Sequence, residues 1–395
     1  MGENRPLSDT SQARRTLSLA RNLLNKGGAL ESTNSGETID RTRLAQELER
    51  RIQMSVAFSS LPSSVTAKAV TAETLTNTES ALNKTAGGAS PSTLTDMELA
   101  SLEAIIQVTG RPATRYSNGR VQMPSGNLGE NDHWRVLVAT TRLFIDRASA
   151  SVGRITITGN EGLEEHIGTG WCAEGNLIIT NRHVVYDLVS NPDASLPSWK
   201  INKAKRPFID FAATDNATAS QRFEIAEVAY CAKEEYVDIA AIRVSSGAGA
   251  LPRSLAVNWD KSALGRERAG AGAEPSQFQG SDIYVIGHPY RRHSSEPVAT
   301  VFGVADGYKR WSPGVVVQMD DEKTVLEHDC STLGGNSGSC VLTAESHDVI
   351  GIHIGGLEVD KMTGRGSANI ALAFSYLGSH EAANILKTGR VEGGR

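Results

Sequence analysis

The sequence predicts an all-β core arranged as a pair of barrels, preceded by a mainly α-helical N-terminal extension. Two observations lead there. From Val152 onward the chain breaks into short runs of β-branched and apolar residues separated by Gly-, Asn-, Asp- and Pro-containing turns. Before about residue 130, apolar residues recur instead at helical spacing. A length of 395 residues also leaves room for both parts, since one large all-β unit takes about 200–250. The expected division is residues 1–130 as a helical, partly flexible region and 131–395 as the β domain.

In the extension, Leu17, Leu19, Leu23 and Leu24 mark a helix over Ser11–Asn25. Asp40 can cap a second helix reaching Phe58, with Leu44, Leu48, Ile52 and Val56 every fourth residue. Ser59–Pro91 is low in large apolar side chains and reads as linker or loose helix. A third helix follows over Leu94–Gln107, then a short hairpin from Arg111 to Pro124 turning at Ser117-Asn118-Gly119. A fourth helix over Asp132–Ala148 carries Trp134, Leu137, Leu143, Phe144 and Ile145.

Strands of the first barrel are expected at Ser151–Gly159, Leu177–Ile179, Phe223–Ala232 and Ile239–Val244. The Gly- and Ala-rich stretch Gly265–Gln279 would bridge to the second barrel, which starts near Ser281. Its strands are expected at Asp282–Gly287, Val298–Val304, Val315–Met319, Val325–Asp329, Ser339–Leu342, Val349–Gly355 and Asn369–Ala373, with a closing helix over Ser379–Leu386.

Three short segments carry chemistry. Gly334-Gly335-Asn336-Ser337-Gly338-Ser339 places a serine among glycines; upstream lie His183 in Thr180-Asn181-Arg182-His183-Val184-Val185 and Asp238 in Asp238-Ile239-Ala240-Ala241-Ile242. A serine hydroxyl is a poor nucleophile near neutral pH unless an imidazole takes its proton during attack. A carboxylate then fixes the imidazole tautomer and stabilises the imidazolium. Glycine lets the chain bend so that two backbone N–H groups, those of Gly335 and Ser337, converge on one oxyanion. The order His, Asp, Ser differs from the Ser, acid, His of α/β-hydrolases and the Asp, His, Ser of subtilisins.

Together with Gly168-Thr169-Gly170-Trp171, these segments make the region Val152–Leu377 resemble a bacterial trypsin-like serine protease of chymotrypsin fold. The resemblance implies two six-stranded antiparallel β-barrels, a His183–Asp238–Ser337 triad, an oxyanion hole of Gly335 and Ser337, a protein or peptide substrate, and no cofactor. Ser331–Ser339 and Gly351–Gly356 look like the pocket-forming segments of glutamyl endopeptidases, which implies Thr332, His353 and Gly355 as substrate-binding residues and cleavage after acidic residues. No acid stands at the pocket base, as a preference for Lys or Arg would need. Cys340 departs from that family, which usually has proline there. Alternatives are an HtrA-type quality-control protease, although no C-terminal peptide-binding domain follows Leu386, or a pseudoprotease acting as a binding module.

Charge and composition restrict the partners. A net charge of −5 without a long basic run gives no sign of a nucleic-acid partner. No run of about 18 apolar residues exists for a membrane span. Met1-Gly2-Glu3-Asn4-Arg5 has no apolar core behind it, so no signal peptide and a cytoplasmic location are expected. Cys330 and Cys340 flank the Ser337 loop and could meet across a hairpin, but four scattered cysteines in this setting read as free thiols. The set His328, Cys330, Cys340 and His347 matches no common zinc spacing, so no metal is expected. His166 reads as a surface residue and His288 as a turn residue. For residues 1–130 three roles stand open: a pro-segment, with Glu130 as a self-cleavage point, a docking module for a regulatory protein partner, or a permanent cover.

Overall fold

The structure, a computed structural model, describes residues 41–54, 61–86, 93–108, 111–124, 131–159, 162–192, 199–215, 217, 220–234, 237–245, 250–259, 281–290, 306–320, 325–332, 335–356, 369–378 and 380–391. The expected helix at Ser11–Asn25, strand at Val298–Val304, bridging loop Gly265–Gln279 and Glu130 lie outside these residues.

Neighbouring residues on one strand point into different cores, and this builds the architecture. After a short hairpin of β1 (Thr114–Ser117) and β2 (Arg120–Val121), the first barrel comprises β3 (Val152–Thr158), β4 (Glu164–Ala173), β5 (Leu177–Thr180), β6 (Phe208–Asp210), β7 (Arg222–Cys231) and β8 (Ala240–Val244). It closes in the order β3-β4-β5-β8-β7-β6. Cys172, Ile178, Ala240 and Ile242 pack in one core with Ile155, Phe211 and Phe223. Their neighbours Trp171, Ile179, Ile239 and Ala241 join a second core shared with the other barrel.

The second barrel repeats the arrangement with β9 (Asp282–Gly287), β10 (Arg310–Asp320), β11 (Val325–His328), β12 (Cys340–Thr343), β13 (Val349–Gly356) and β14 (Asn369–Ala373). The order β11-β14-β13-β12-β9-β10 is closed by pairing of β10 with β11. Ile283, Val285 and Val341 form its own core, while Tyr284, Ile286, Cys340 and Leu342 face the shared one. Both barrels are six-stranded and antiparallel, as expected.

The helices are α1 (Arg41–Met54), α2 (Ala67–Ala86), α3 (Asp96–Val108), α4 (Asn131–Ala150), α5 (Arg182–Leu188) and α6 (Glu381–Thr388). Leu44, Leu48, Ile52, Ala67, Val70, Ala104 and Ile105 give α1–α3 a core of their own. Of the two expected forms for this stretch, linker or loose helix, the structure has a regular helix, α2. It packs through small residues, and its buried Thr74 and Thr78 hydroxyls donate to the carbonyls of Val70 and Thr74.

The hairpin at 114–121 turns at Asn118 and Gly119, both at positive φ, and extends the second sheet. Thr114 pairs with Trp311 and Arg115 with Arg310. Tyr116 and Val121 are buried in the shared core, and Arg111 holds Asp329 at 2.7 Å, with Arg111 almost fully buried. Breaking a buried ion pair costs about 3–5 kcal/mol, and for this size about 1 kcal/mol moves Tm by roughly 2–4 °C. A chain starting at Asn131 is therefore expected to melt roughly 6–20 °C below one starting at Arg111, measured by thermal denaturation. Equal melting points would count against this account.

Candidate active site

β5 and β8 pair antiparallel with Thr180 opposite Ala240. The residues just after β5 and just before β8 therefore meet at one end of the first barrel. Asn181 is extended, and α5 starts at Arg182, so His183 lies in its first turn. The chain forms a two-turn helix here because Val184, Val185 and Leu188 insert into the barrel core.

Asp238 grips His183 twice. Its Oδ2 lies 2.6 Å from His183 Nδ1, and its Oδ1 accepts the His183 backbone N–H at 3.0 Å. Asn181 Nδ2 donates to the Asp238 carbonyl at 2.7 Å, steadying the carboxylate from behind. A carboxylate only accepts, so Nδ1 carries a proton. That leaves Nε2 of the neutral ring as acceptor. The carboxylate side chain is 13% exposed and the imidazole 46%, so the carboxylate is sheltered while the imidazole faces solvent.

Ser337 sits in the loop before β12, latched onto β4 of the other barrel. Thr169 N–H donates to the Ser337 carbonyl at 2.8 Å, and the Thr169 hydroxyl donates to the Gly335 carbonyl at 2.8 Å. The Asn336 carbonyl accepts from Ser339 N–H at 2.9 Å. Strand β13 supports the loop through Gly338 N–H to His353 O at 3.0 Å and His353 N–H to Ser339 O at 2.8 Å. Gly335 and Gly338 have φ of 84° and 86°, where a side chain is strained. A Cβ would lie 2.5 Å from the His288 carbonyl at Gly335, and 2.1 Å from the Thr169 carbonyl at Gly338. Only glycine allows the loop to approach so closely.

Thr332 and His353 are both buried, 7% and 2% exposed. Among the described residues the Thr332 hydroxyl has no hydrogen-bond partner. His353 Nδ1 lies 3.3 Å from His328 Nε2. Gly355 has φ of 144° at a bulge in the β13–β14 pairing.

His166 is buried rather than on the surface. Its Nε2 lies 2.8 Å from the Gly168 carbonyl, and burial, with Arg154 nearby, pulls its pKa down to about 3. His288 is also fully buried, with Nδ1 3.1 Å from the Gly307 carbonyl. The His166 ring and the His288 carbonyl both flank Gly335, and the His166 contact was hidden in the sequence because it crosses between barrels. All four cysteines are free and buried. Among the described residues no group of three or more His, Cys, Asp or Glu could hold a metal ion, and no helix is long and apolar enough to cross a membrane.

Residues 168–352 match the family described as the trypsin-like peptidase domain. A probable serine protease of Lysobacter enzymogenes is 25% identical over 301 residues, covering 70% of this chain and 73% of that protein. The crystal structure of the Rv3671c protease of M. tuberculosis in its active form aligns over 65% of this chain and 88% of that chain, at 16% identity and a TM-score of 0.37.

Proposed function

We propose that this chain, whose residues 168–352 match the trypsin-like peptidase family, is a serine endopeptidase working through His183, Asp238 and Ser337. The observation that carries this reading is the double engagement of His183 by Asp238, which leaves Nε2 as the proton acceptor. In the proposed reaction the Ser337 oxygen attacks the scissile carbonyl as Nε2 takes its proton. The C–N bond breaks as the imidazolium returns that proton to the leaving amine, which leaves an acyl-enzyme. Water, deprotonated by the same nitrogen, then hydrolyses the ester. The amides of Gly335 and Ser337 hold the oxyanion in both steps. A carboxylate bound by Thr332 and His353, with Gly355 beside them, gives a preference for cleavage after acidic residues. The buried Thr332 hydroxyl, without a partner among the described residues, supports this, since such a donor favours a ligand that supplies one. Residues 1–130 serve in this reading to dock a regulatory partner or to cover the β domain.

The test is to incubate the protein and its S337A variant with an unbiased peptide library and sequence the cut sites. Cuts after glutamate that vanish in S337A are expected. Thr332→Val is then expected to raise KM for such a peptide by about tenfold with little change in kcat, as loss of one hydrogen bond to a charged group costs about 1.5 kcal/mol or more. Cuts without acidic preference would leave the peptidase and remove the pocket assignment. No cuts, and no labelling of Ser337 by a fluorophosphonate, would leave a binding module.

A further inference from the structure

The loop around Ser337 has three successive carbonyls, and each has a donor. Gly335 O takes the Thr169 hydroxyl, Asn336 O takes Ser339 N–H, and Ser337 O takes Thr169 N–H. Thr169 thus supplies two of the three, one from its side chain and one from its backbone. In a trans peptide the N–H points opposite to the C=O. Tying the Asn336 carbonyl inward therefore turns the Ser337 N–H to the other side. Fixing the carbonyls on either side of it sets where that N–H aims.

The Thr169 hydroxyl has a defined direction. The backbone N–H of His288 donates to Thr169 Oγ1 at 3.1 Å, so the hydroxyl proton is free for Gly335 O at 2.8 Å. The chain His288 N–H to Thr169 O–H to Gly335 C=O joins the second barrel, the first barrel and the Ser337 loop. Thr169 is fully buried, so no bulk water replaces the hydroxyl if it is removed. Gly335 lacks a Cβ and has little backbone preference of its own, so its orientation depends on this restraint.

We propose that Thr169 is a positioning residue, whose hydroxyl and backbone N–H together hold the Gly335–Ser337 arc so that its amides converge on the oxyanion. This rests on the serine-endopeptidase reading above. A group aimed at developing charge acts mainly in the transition state, so its loss lowers kcat more than it raises KM. Removing a whole oxyanion donor costs about 10²–10³ in kcat, and loosening the aim of both should cost somewhat less.

The test compares Thr169→Val, which keeps the shape without the hydroxyl, with Thr169→Ser, which keeps the hydroxyl. For the best library peptide, T169V is expected to lower kcat by about 10–100-fold with KM within about twofold. Affinity for a peptidyl boronic acid, which mimics the tetrahedral state, should weaken by a similar factor while affinity for the product peptide stays constant. T169S should remain within about threefold of the parent. Should T169V melt below the assay temperature, T169S against T169A repeats the comparison across a single oxygen in a matched, smaller side chain.

The proposal is overturned if the hydroxyl-free variants turn over like their hydroxyl-bearing partners. It is equally overturned if KM, product affinity and kcat all worsen together in T169V and T169S alike, the pattern of a packing defect. In either case the parent still cuts and S337A does not, so the endopeptidase reading survives. A parent that neither cuts nor labels at Ser337 removes both.

Discussion

Replacing Asp238 by asparagine is expected to lower kcat by about 10⁴-fold, with the fold and KM nearly unchanged. The size follows from the two bonds between Asp238 and His183. The His183 backbone N–H needs an acceptor, and it lies 3.0 Å from Oδ1. Asparagine has only one side-chain oxygen, and keeping that bond places the amide nitrogen 2.6 Å from the ring, where Oδ2 stood. An amide N–H there donates to Nδ1 and forces the ring proton onto Nε2. That nitrogen then cannot take the Ser337 proton in the proposed reaction. Four decades in rate correspond to about 5 kcal/mol, more than loss of imidazolium stabilisation alone would give in a half-exposed site. S337A should cost as much or more, and S337A/D238N no more than S337A alone, because groups acting as a unit are not additive. Steady-state kinetics on one library peptide measure all three variants, and ring ¹⁵N shifts report the tautomer. A D238N variant retaining more than about a tenth of the parent kcat would break the assignment of Asp238.

The barrels were legible where their strands are apolar on both faces. Leu177-Ile178-Ile179 reads as a continuous apolar run, and in the fold Ile178 enters the first-barrel core while Ile179 enters the shared one. The His183 and Asp238 segments were legible for a related reason: each abuts such a run, and pairing of Thr180 with Ala240 brings them together. Helix α2 was legible only as linker or loose helix. Its packing face uses Ala67, Val70, Ala81 and buried threonines, with Leu75 only partly buried against that core, so large apolar residues barely mark the period. The Thr169–Gly335 contact was hidden for a third reason. It spans 166 residues and joins two barrels, and no local pattern reports which hydroxyl meets which carbonyl. Residue types reveal the chemistry of such a site, whereas the bonds that aim it depend on tertiary packing.

Acidification from pH 6.5 toward 4 is expected to destabilise the protein by several kcal/mol, before most carboxylates protonate. His166 is buried as the neutral ring, with its pKa lowered to about 3, and His288 is likewise buried and well below its ordinary value, Lys309 adding to the effect of burial. In the unfolded chain both rings protonate near pH 6.5. Below that pH the unfolded state binds protons the folded state refuses, so stability falls by about 1.4 kcal/mol per pH unit for each ring. For His166 the loss continues until pH approaches 3. Lys309, fully buried and donating to the Ser149 and Phe211 carbonyls, has its pKa lowered to about 7 by burial. Its cost therefore develops between pH 10.5 and 7 and is constant below. Asp146 and Asp187, raised by burial, act in the opposite direction only near the carboxylate range. Urea midpoints at pH 7.5, 6 and 5 measure the slope, and His166→Gln, whose amide can still donate to the Gly168 carbonyl, should reduce it by about one proton. Midpoints unchanged between pH 6.5 and 4.5 would sink the idea. The burden falls beside the Ser337 loop: a Cβ on Gly335 would lie 2.7 Å from His166 Cε1 and 2.5 Å from the His288 carbonyl. The same packing that walls the Ser337 loop therefore denies these rings a proton.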